Sequence, residues 1–319
     1  MTSVGDRQAA AALAAPTRIS GTVWAALAVV YVVWGSTYLA IRVVVESMPA
    51  LLSGAIRFLL AGALLLGWVV VRNGPAAVRV TWRQLASAGT VGVLLLVGGN
   101  GLLVIAEGTV PSGLAALLVA VVPLWVVLLR AVSGERQGLA RVGGVLLGLV
   151  GLAVLSLPGL FNGSGAGSIG LGGVVLVMIG ALSWAVGSFV GTKLPRIENA
   201  MAASAYQMLI GGLGCLVVAL ARREQQHFHL TEVTTRSWLA LLYLVLVGSL
   251  VGFTAYSWLL QNAPLGLVAT YAYVNPVVAV FLGWLVLAER LATSELVGGL
   301  IVVAAVCVVV STERRARAR

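Results

Sequence analysis

The stretch Pro111-Ser112-Gly113-Leu114-Ala115-Ala116, followed by Val121-Val122-Pro123, returns 153 residues later. There it reads Pro264-Leu265-Gly266-Leu267-Val268-Ala269, followed by Val274-Asn275-Pro276. Both copies lie in long apolar segments. Working outward, Gly134-Glu135-Arg136 is matched by Ala288-Glu289-Arg290, and Gly144 by Gly298. Nearer the start, Trp34 is matched by Trp184, and Arg57-Phe58-Leu59-Leu60-Ala61-Gly62 lines up with Gln207-Met208-Leu209-Ile210-Gly211-Gly212. Self-similarity sustained at one period marks a duplicated unit. The expected organisation is a tail over 1–20, a first repeat over 21–160, a Gly/Ser-rich linker over 161–168, a second repeat over 169–312 and a basic tail over 313–319.

Each repeat holds five apolar stretches. They are read as spans over 21–45, 50–72, 84–106, 111–130, 139–157, 169–192, 200–221, 238–260, 265–287 and 294–311. A helix needs ~20 apolar residues to cross a bilayer, whereas a barrel would show alternating strands of ~10. The 319-residue chain is 60% hydrophobic and 9% charged, more apolar surface than a soluble domain of that length buries, so its solvent is lipid. The expected fold is an all-α membrane protein with ten transmembrane helices in two five-helix repeats. Five is odd, so the second repeat enters the membrane upside down. Inverted repeats place a substrate site near the midplane and switch access by rocking one half on the other. A duplicated scaffold with no transport role would show the same symmetry.

The net charge of +10 follows topology. With the N-terminus inside, fourteen basic residues fall on inner segments and six on or near outer ones, so both termini are placed in the cytoplasm. Arg222, Arg223 and Arg236, in the longest loop, run against this rule. No nucleic-acid partner is expected. The expected partners are the bilayer and a small-molecule substrate, with the chain a monomer or weak homodimer. Cys215 and Cys307 fall inside spans and read as packing residues. The first 20 residues lack the basic start and short apolar core of a cleaved signal, so span 1 reads as a retained signal anchor.

The run Trp34-Gly35-Ser36-Thr37-Tyr38-Leu39-Ala40-Ile41-Arg42, with Arg57–Gly62 after it, resembles the opening of an EamA domain. The two Gly/Ala-Glu-Arg turns, each leading into a glycine-containing last helix, resemble its close. Over about 20–315 the chain is similar to the ten-helix drug/metabolite transporter superfamily, in its bacterial metabolite-exporter branch. The resemblance implies an inner-membrane exporter of small metabolites, amino acids or drugs. It also implies a central cavity lined by spans 1, 3, 4, 6, 8 and 9, with the others peripheral.

Ionisable groups are scarce. Asp6 is the sole Asp, and His227 and His229 are the sole His. There is no glycine–lysine nucleotide loop, which argues against ATP as the energy source. Metal binding and His- or Asp-based catalysis lack their residues, so no enzyme, catalytic residue, metal site or cofactor is expected. A charge inside a span is costly and so a functional candidate. Arg57 reads either as recognising an anionic substrate group or as snorkelling to the interface. Glu107, closing span 3, reads either as a proton-coupling carboxylate or as a solvated helix end. Glu135 and Glu289, beside Arg136 and Arg290, read as structural pairs or caps.

Uncharged residues define the expected substrate site: Trp34, Tyr38, Asn100, Trp184, Tyr271 and Asn275. Trp34 and Tyr38 share a helix face, being four apart. A buried Asn needs a partner or a wet cavity. Tyr271, Tyr273 and Asn275 replace Leu118, Ala120 and Val122 of the first repeat, the main polar break in symmetry. Tyr256 and Trp258 are further candidates. Each aromatic can equally be packing or part of the interfacial belt. Pro123 and Pro276 are read as paired hinges or static kinks, because proline removes a backbone hydrogen bond. Gly144/Gly148 and Gly187/Gly191 read as close helix contacts.

The reading is a secondary transporter that exports amino acids, nucleobases or amphipathic drug-like compounds by alternating access. It is either proton-coupled or uncoupled, and its aromatic site predicts a neutral or weakly polar substrate with an apolar part. Competing classes are a membrane sensor or scaffold, a channel and, least supported, an intramembrane enzyme.

Overall fold

Four helix starts are written in the residues just before them. Ser20, Thr81, Asn199 and Thr234 each turn a side-chain oxygen onto a first-turn backbone N–H, and Thr81 with Gln84 completes a reciprocal capping box. Gly74 and Gly134, at φ 80° and 83°, close helices in backbone conformations that a side chain would strain. The computed structural model describes residues 20–110, 112–135, 138–161, 171–287 and 293–317. The expected N-terminal tail and linker fall largely outside the described residues, as do Glu289 and Arg290, whereas the expected basic tail is helical through Arg317.

The helices that result are span 1 (Gly21–Val45), span 2 (Ala50–Asn73), span 3 (Trp82–Glu107), span 5 (Leu139–Phe161), span 6 (Leu171–Gly191), span 7 (Ala200–Ala221), span 8 (Thr235–Asn262) and span 10 (Thr293–Arg317). Span 4 comes in two pieces, Ser112–Val119 and Val122–Val132, and span 9 in two, Leu265–Val268 and Tyr271–Leu287. The fold is all-helical, with ten apolar spans in two inverted repeats. On span 2, Leu60, Leu64, Trp68 and Val71 form one exposed stripe, an apolar face suited to the lipid interior. The opposite stripe, including Ala55, Phe58, Ala61 and Leu65, is buried.

Packing follows the repeat. Span 2 packs on span 7 and span 5 on span 10, each helix meeting its own counterpart. The other contacts come in exchanged pairs: span 3 on span 6 with span 8 on span 1, and span 4 on span 6 with span 9 on span 1. That pattern is what a two-fold axis between the halves produces. Glycines set the closest approaches. A Cβ on Gly144 would lie 3.0 Å from Val308 and Val309, and one on Gly187 2.9 Å from Leu94.

Two features depart from the sequence reading. Spans 3 and 8 each widen in mid-membrane, over Val93–Gly101 and Leu244–Phe253, into turns closed by i→i+5 bonds. Wide turns leave carbonyls open to side chains, and neighbours take them up. Ser183 donates to Leu94 O (2.8 Å), Cys215 to Leu96 O (3.5 Å) and Trp34 Nε1 to Gly248 O (3.3 Å). The prolines also behave unequally. Span 4 breaks at 120–121, and Pro123 falls in the first turn of the second piece. Span 9 breaks earlier, at 269–270, and runs on as helix through Pro276. At that break the Thr270 hydroxyl donates to Leu267 O (2.6 Å) and pairs with the Tyr31 hydroxyl (2.6 Å). The first repeat has Leu117 at the position of Thr270 and lacks this hydroxyl.

Candidate functional site

The wide turns bring Gly99 and Gly248 to the interface between the halves, and the missing side chains leave room there. A Cβ on Gly99 would meet Trp184 at 2.6 Å, and one on Gly252 would meet the Trp34 indole at 2.7 Å. Each tryptophan thus lies on a glycine of the other half. Between them is a cavity with about 650 Å³ of atom-free space, its open side included. All six expected substrate residues line it: Trp34, Tyr38, Asn100, Trp184, Tyr271 and Asn275.

One end of the cavity is closed by aromatic rings. Trp34 meets Trp184 edge-on at 5.4 Å and Tyr271 at 5.1 Å, and lies 4.8 Å from Tyr256. Tyr256 completes the cluster 5.5 Å from Tyr271. The Trp184 indole donates to the Tyr256 hydroxyl at 2.9 Å, and Ser188 shares that hydroxyl at 2.6 Å. Aromatic pairs contribute ~0.5–1.5 kcal/mol each beyond area burial, so parting Trp34 from two rings costs roughly 1–3 kcal/mol. That is a seal a conformational change can open. From it the cavity extends along Thr37, Tyr38, Ile41 and Leu103, toward the end of span 1 and the end of span 3.

Three expectations need correction. Span 2 is not peripheral: Arg57 and Phe58 line the cavity, and Arg57 Nε donates to Ser249 Oγ of span 8 at 2.8 Å. With Arg57 at 5% exposure, snorkelling to the interface does not describe it. Glu107 is 0% exposed, which removes the solvated-end reading. Among the described residues neither of its carboxyl oxygens has a hydrogen-bond partner; Arg42 donates instead to its backbone carbonyl. Burying a charged carboxylate there is costly unless cations compensate, and Arg42 and Arg57 are the ones whose fields reach it. Finally, Tyr273 points away from the cavity. Its ring lies on Gly148 and its hydroxyl donates to Val145 O at 3.4 Å, so it packs span 9 on span 5.

Asn275 is half committed to structure. With its amide oriented as its neighbours require, the nitrogen donates to the Tyr31 and Tyr271 carbonyls at 3.2 and 3.0 Å. Asn100 Oδ1 has no hydrogen-bond partner among the described residues. The sequence reading missed Gly99, Gly248 and Ser249. Aligning Gly98-Gly99 with Gly248-Ser249, 150 residues apart, would have found them.

Two inverted five-helix repeats around a shared cavity define a two-repeat membrane transporter. The chain belongs to the EamA-like transporter family, which matches residues 19–157 and 171–311. It is 38% identical over 286 residues, 89% of each chain, to the uncharacterized inner membrane transporter YedA of Escherichia coli (strain K12). It is 27% identical over 282 residues to a probable amino-acid metabolite efflux pump of Salmonella typhimurium (strain LT2), across 86% of this chain and 90% of that one. A crystal structure at 21% identity shares the fold, with a TM-score of 0.71 over 92% of this chain and 98% of its own. The protein is a multi-pass inner-membrane transporter.

Proposed function

We propose that the protein exports small organic metabolites by alternating access, with both termini in the cytoplasm. The observation that carries this is the placement of the cavity. It lies between the inverted halves, sealed at one end by Trp34, Trp184, Tyr256 and Tyr271 and extending toward the other face. With cytoplasmic termini, that face is the periplasmic one, and the aromatic seal is what opens for loading from inside. The relative named as a probable amino-acid metabolite efflux pump supports outward movement of small metabolites. Trp34, Tyr38, Trp184 and Tyr271 hold the apolar part of the substrate, and Asn100 Oδ1 accepts one donor from it.

The deciding experiment compares metabolites inside and outside cells with and without the protein. A compound that accumulates inside on deletion, and leaves again when the wild-type but not the Trp34→Ala chain is restored at equal abundance, is the expected result. Unchanged pools, or pools restored equally by Trp34→Ala, would refute the proposal.

A second reading concerns energy. The burial of Glu107 favours proton coupling over uncoupled exchange, since a carboxyl with no fixed partner can take and release a proton as the halves move. Glu107→Gln is expected to abolish the response of flux to an imposed pH gradient. An unaltered response would favour uncoupled exchange.

A further inference from the structure

The charge in the cavity comes from one half alone. Arg57 is the one charged side chain among the described residues that line it. Its guanidinium lies 4.8 Å from the centre of the Phe58 ring and has one hydrogen-bond acceptor, Ser249 Oγ, with no carboxylate within ion-pair distance among the described residues. A Cβ on Gly248 would lie 3.1 Å from Arg57 Nη2, so the glycine is what lets the guanidinium in. A buried guanidinium with most of its fork unused is costly as it stands, and its planar donors match two anionic oxygens. In the same cavity, Asn100 Oδ1 lacks a donor among the described residues, and Trp34 and Trp184 offer apolar faces.

The opposite vestibule is built differently. A second pocket lies toward the far ends of spans 6 and 8, lined by Ser87, Ala88, Arg196, Ala203, Gln207 and Ser257 among others. Gln207 stands at the repeat position of Arg57. It is also buried and also bonded to a serine of span 8, with Ser257 Oγ donating to its Oε1 at 3.2 Å. At this buried repeat position the protein thus sets an arginine on one approach to the midplane and a neutral amide on the other, where Arg196 is exposed and donates to the Gln261 and Thr192 carbonyls.

We propose that the cavity binds a small organic anion. Its carboxylate sits on Arg57, its apolar body lies against Trp34 and Trp184, and an N–H or O–H of the ligand donates to Asn100. The site is one-sided, because the equivalent approach carries Gln207. The sidedness rests on the transport reading above; the anion site does not. This corrects the expectation of a neutral substrate, which the aromatic residues alone suggested.

The test uses the full chain in detergent with 2-hydroxy-3-phenylpropanoate and its amide, a pair differing in the carboxylate. Calorimetry is expected to show the acid binding about 10-fold or more tighter than the amide, the worth of one charge-assisted contact. Arg57→Gln should erase the preference, and Arg57→Lys should keep part of it. Equal affinity for the two probes, binding of neither, or a preference that survives Arg57→Gln overturns the proposal. In sealed vesicles, half-saturation by the acid should come at lower concentration from the cavity's face, and Gln207→Arg should narrow the gap. Equal values on both faces overturn the sidedness. A carboxylate preference without flux would sink the transport reading and leave the anion site standing. Flux of neutral compounds with no carboxylate preference would do the reverse.

Discussion

Gly92 and Gly54 are both buried in helices, yet a methyl group on each meets opposite surroundings. At Gly92 it would lie 2.4 Å from the Gln207 carbonyl oxygen and 3.0 Å from its Cα, backbone that has no rotamer to yield with. At Gly54 nothing lies within 4 Å. Gly92→Ala is therefore expected to destabilise the protein by about 1–3 kcal/mol, the usual cost of overpacking. Gly54→Ala should be neutral or stabilising by up to ~1 kcal/mol, since alanine favours the helix over glycine. Unfolding of both variants in detergent measures the contrast, and equal effects would mean that the span 3–span 7 approach is looser than described. Tyr256→Phe tests the seal. It removes the acceptor for the Trp184 indole and the partner of Ser188, at roughly 0.6–1.7 kcal/mol for a polar contact within a membrane. The same melts read that loss; no change would show that neither bond contributes. The aromatic lining was legible in the sequence because Trp34 and Trp184 stand at matched depths. The role of Gly92 was not, since its constraint comes from a residue in the other repeat.

At the scale of elements, the repeat explains which helices need help. Span 7 starts on Asn199, whose side chain accepts from the backbone N–H of Met201 and Ala202. The equivalent position before span 2 is Pro49, which caps nothing. The missing cap comes from the loop after span 7, where Glu224 Oε2 accepts from the N–H groups of Leu51 and Leu52 at 2.9 and 3.0 Å. Arg222, one of the basic residues set against the expected charge rule, lies 3.5 Å from the other oxygen of Glu224. Glu224→Ala should lower stability by about 1 kcal/mol, as the loss of a helix cap does. Pro49→Asn in the same chain should restore it by supplying on span 2 what Asn199 supplies on span 7. Failure of the rescue, measured by thermal unfolding, would show that Glu224 matters for holding the loop and not for capping. The existence of each span was legible from apolar length. The wide turns of spans 3 and 8 and the early break of span 9 were not. They depend on carbonyls and hydroxyls that find partners only across helices, such as Gly248 O with Trp34 and Thr270 with Tyr31. Pro123 and Pro276 look equivalent as letters, but only Pro123 lies in the first turn of a helical piece.

At the scale of the molecule, two pockets occupy pseudo-symmetric approaches to one midplane, and the protein shows one of them enlarged. The larger is bounded by Ala181, and the smaller, beyond the aromatic seal, by Ala88. A transporter that alternates access must enlarge one as it shrinks the other. Ala181→Cys and Ala88→Cys, in chains with Cys215 and Cys307 replaced by alanine, report each side separately to a membrane-impermeant maleimide. Ala181→Cys is expected to react the faster of the two in the resting protein. Trp184→Ala, which removes a ring from the seal, should slow labelling at Ala181→Cys and speed it at Ala88→Cys. The seal is one of the contacts that hold this arrangement, and losing it moves the population toward the other. Opposite changes at the two sites would tie the seal to the balance between them. Faster labelling at both would mean that the rings only plug a hole, and that rocking of the halves is governed elsewhere, at the packed pairs of span 2 on span 7 and span 5 on span 10.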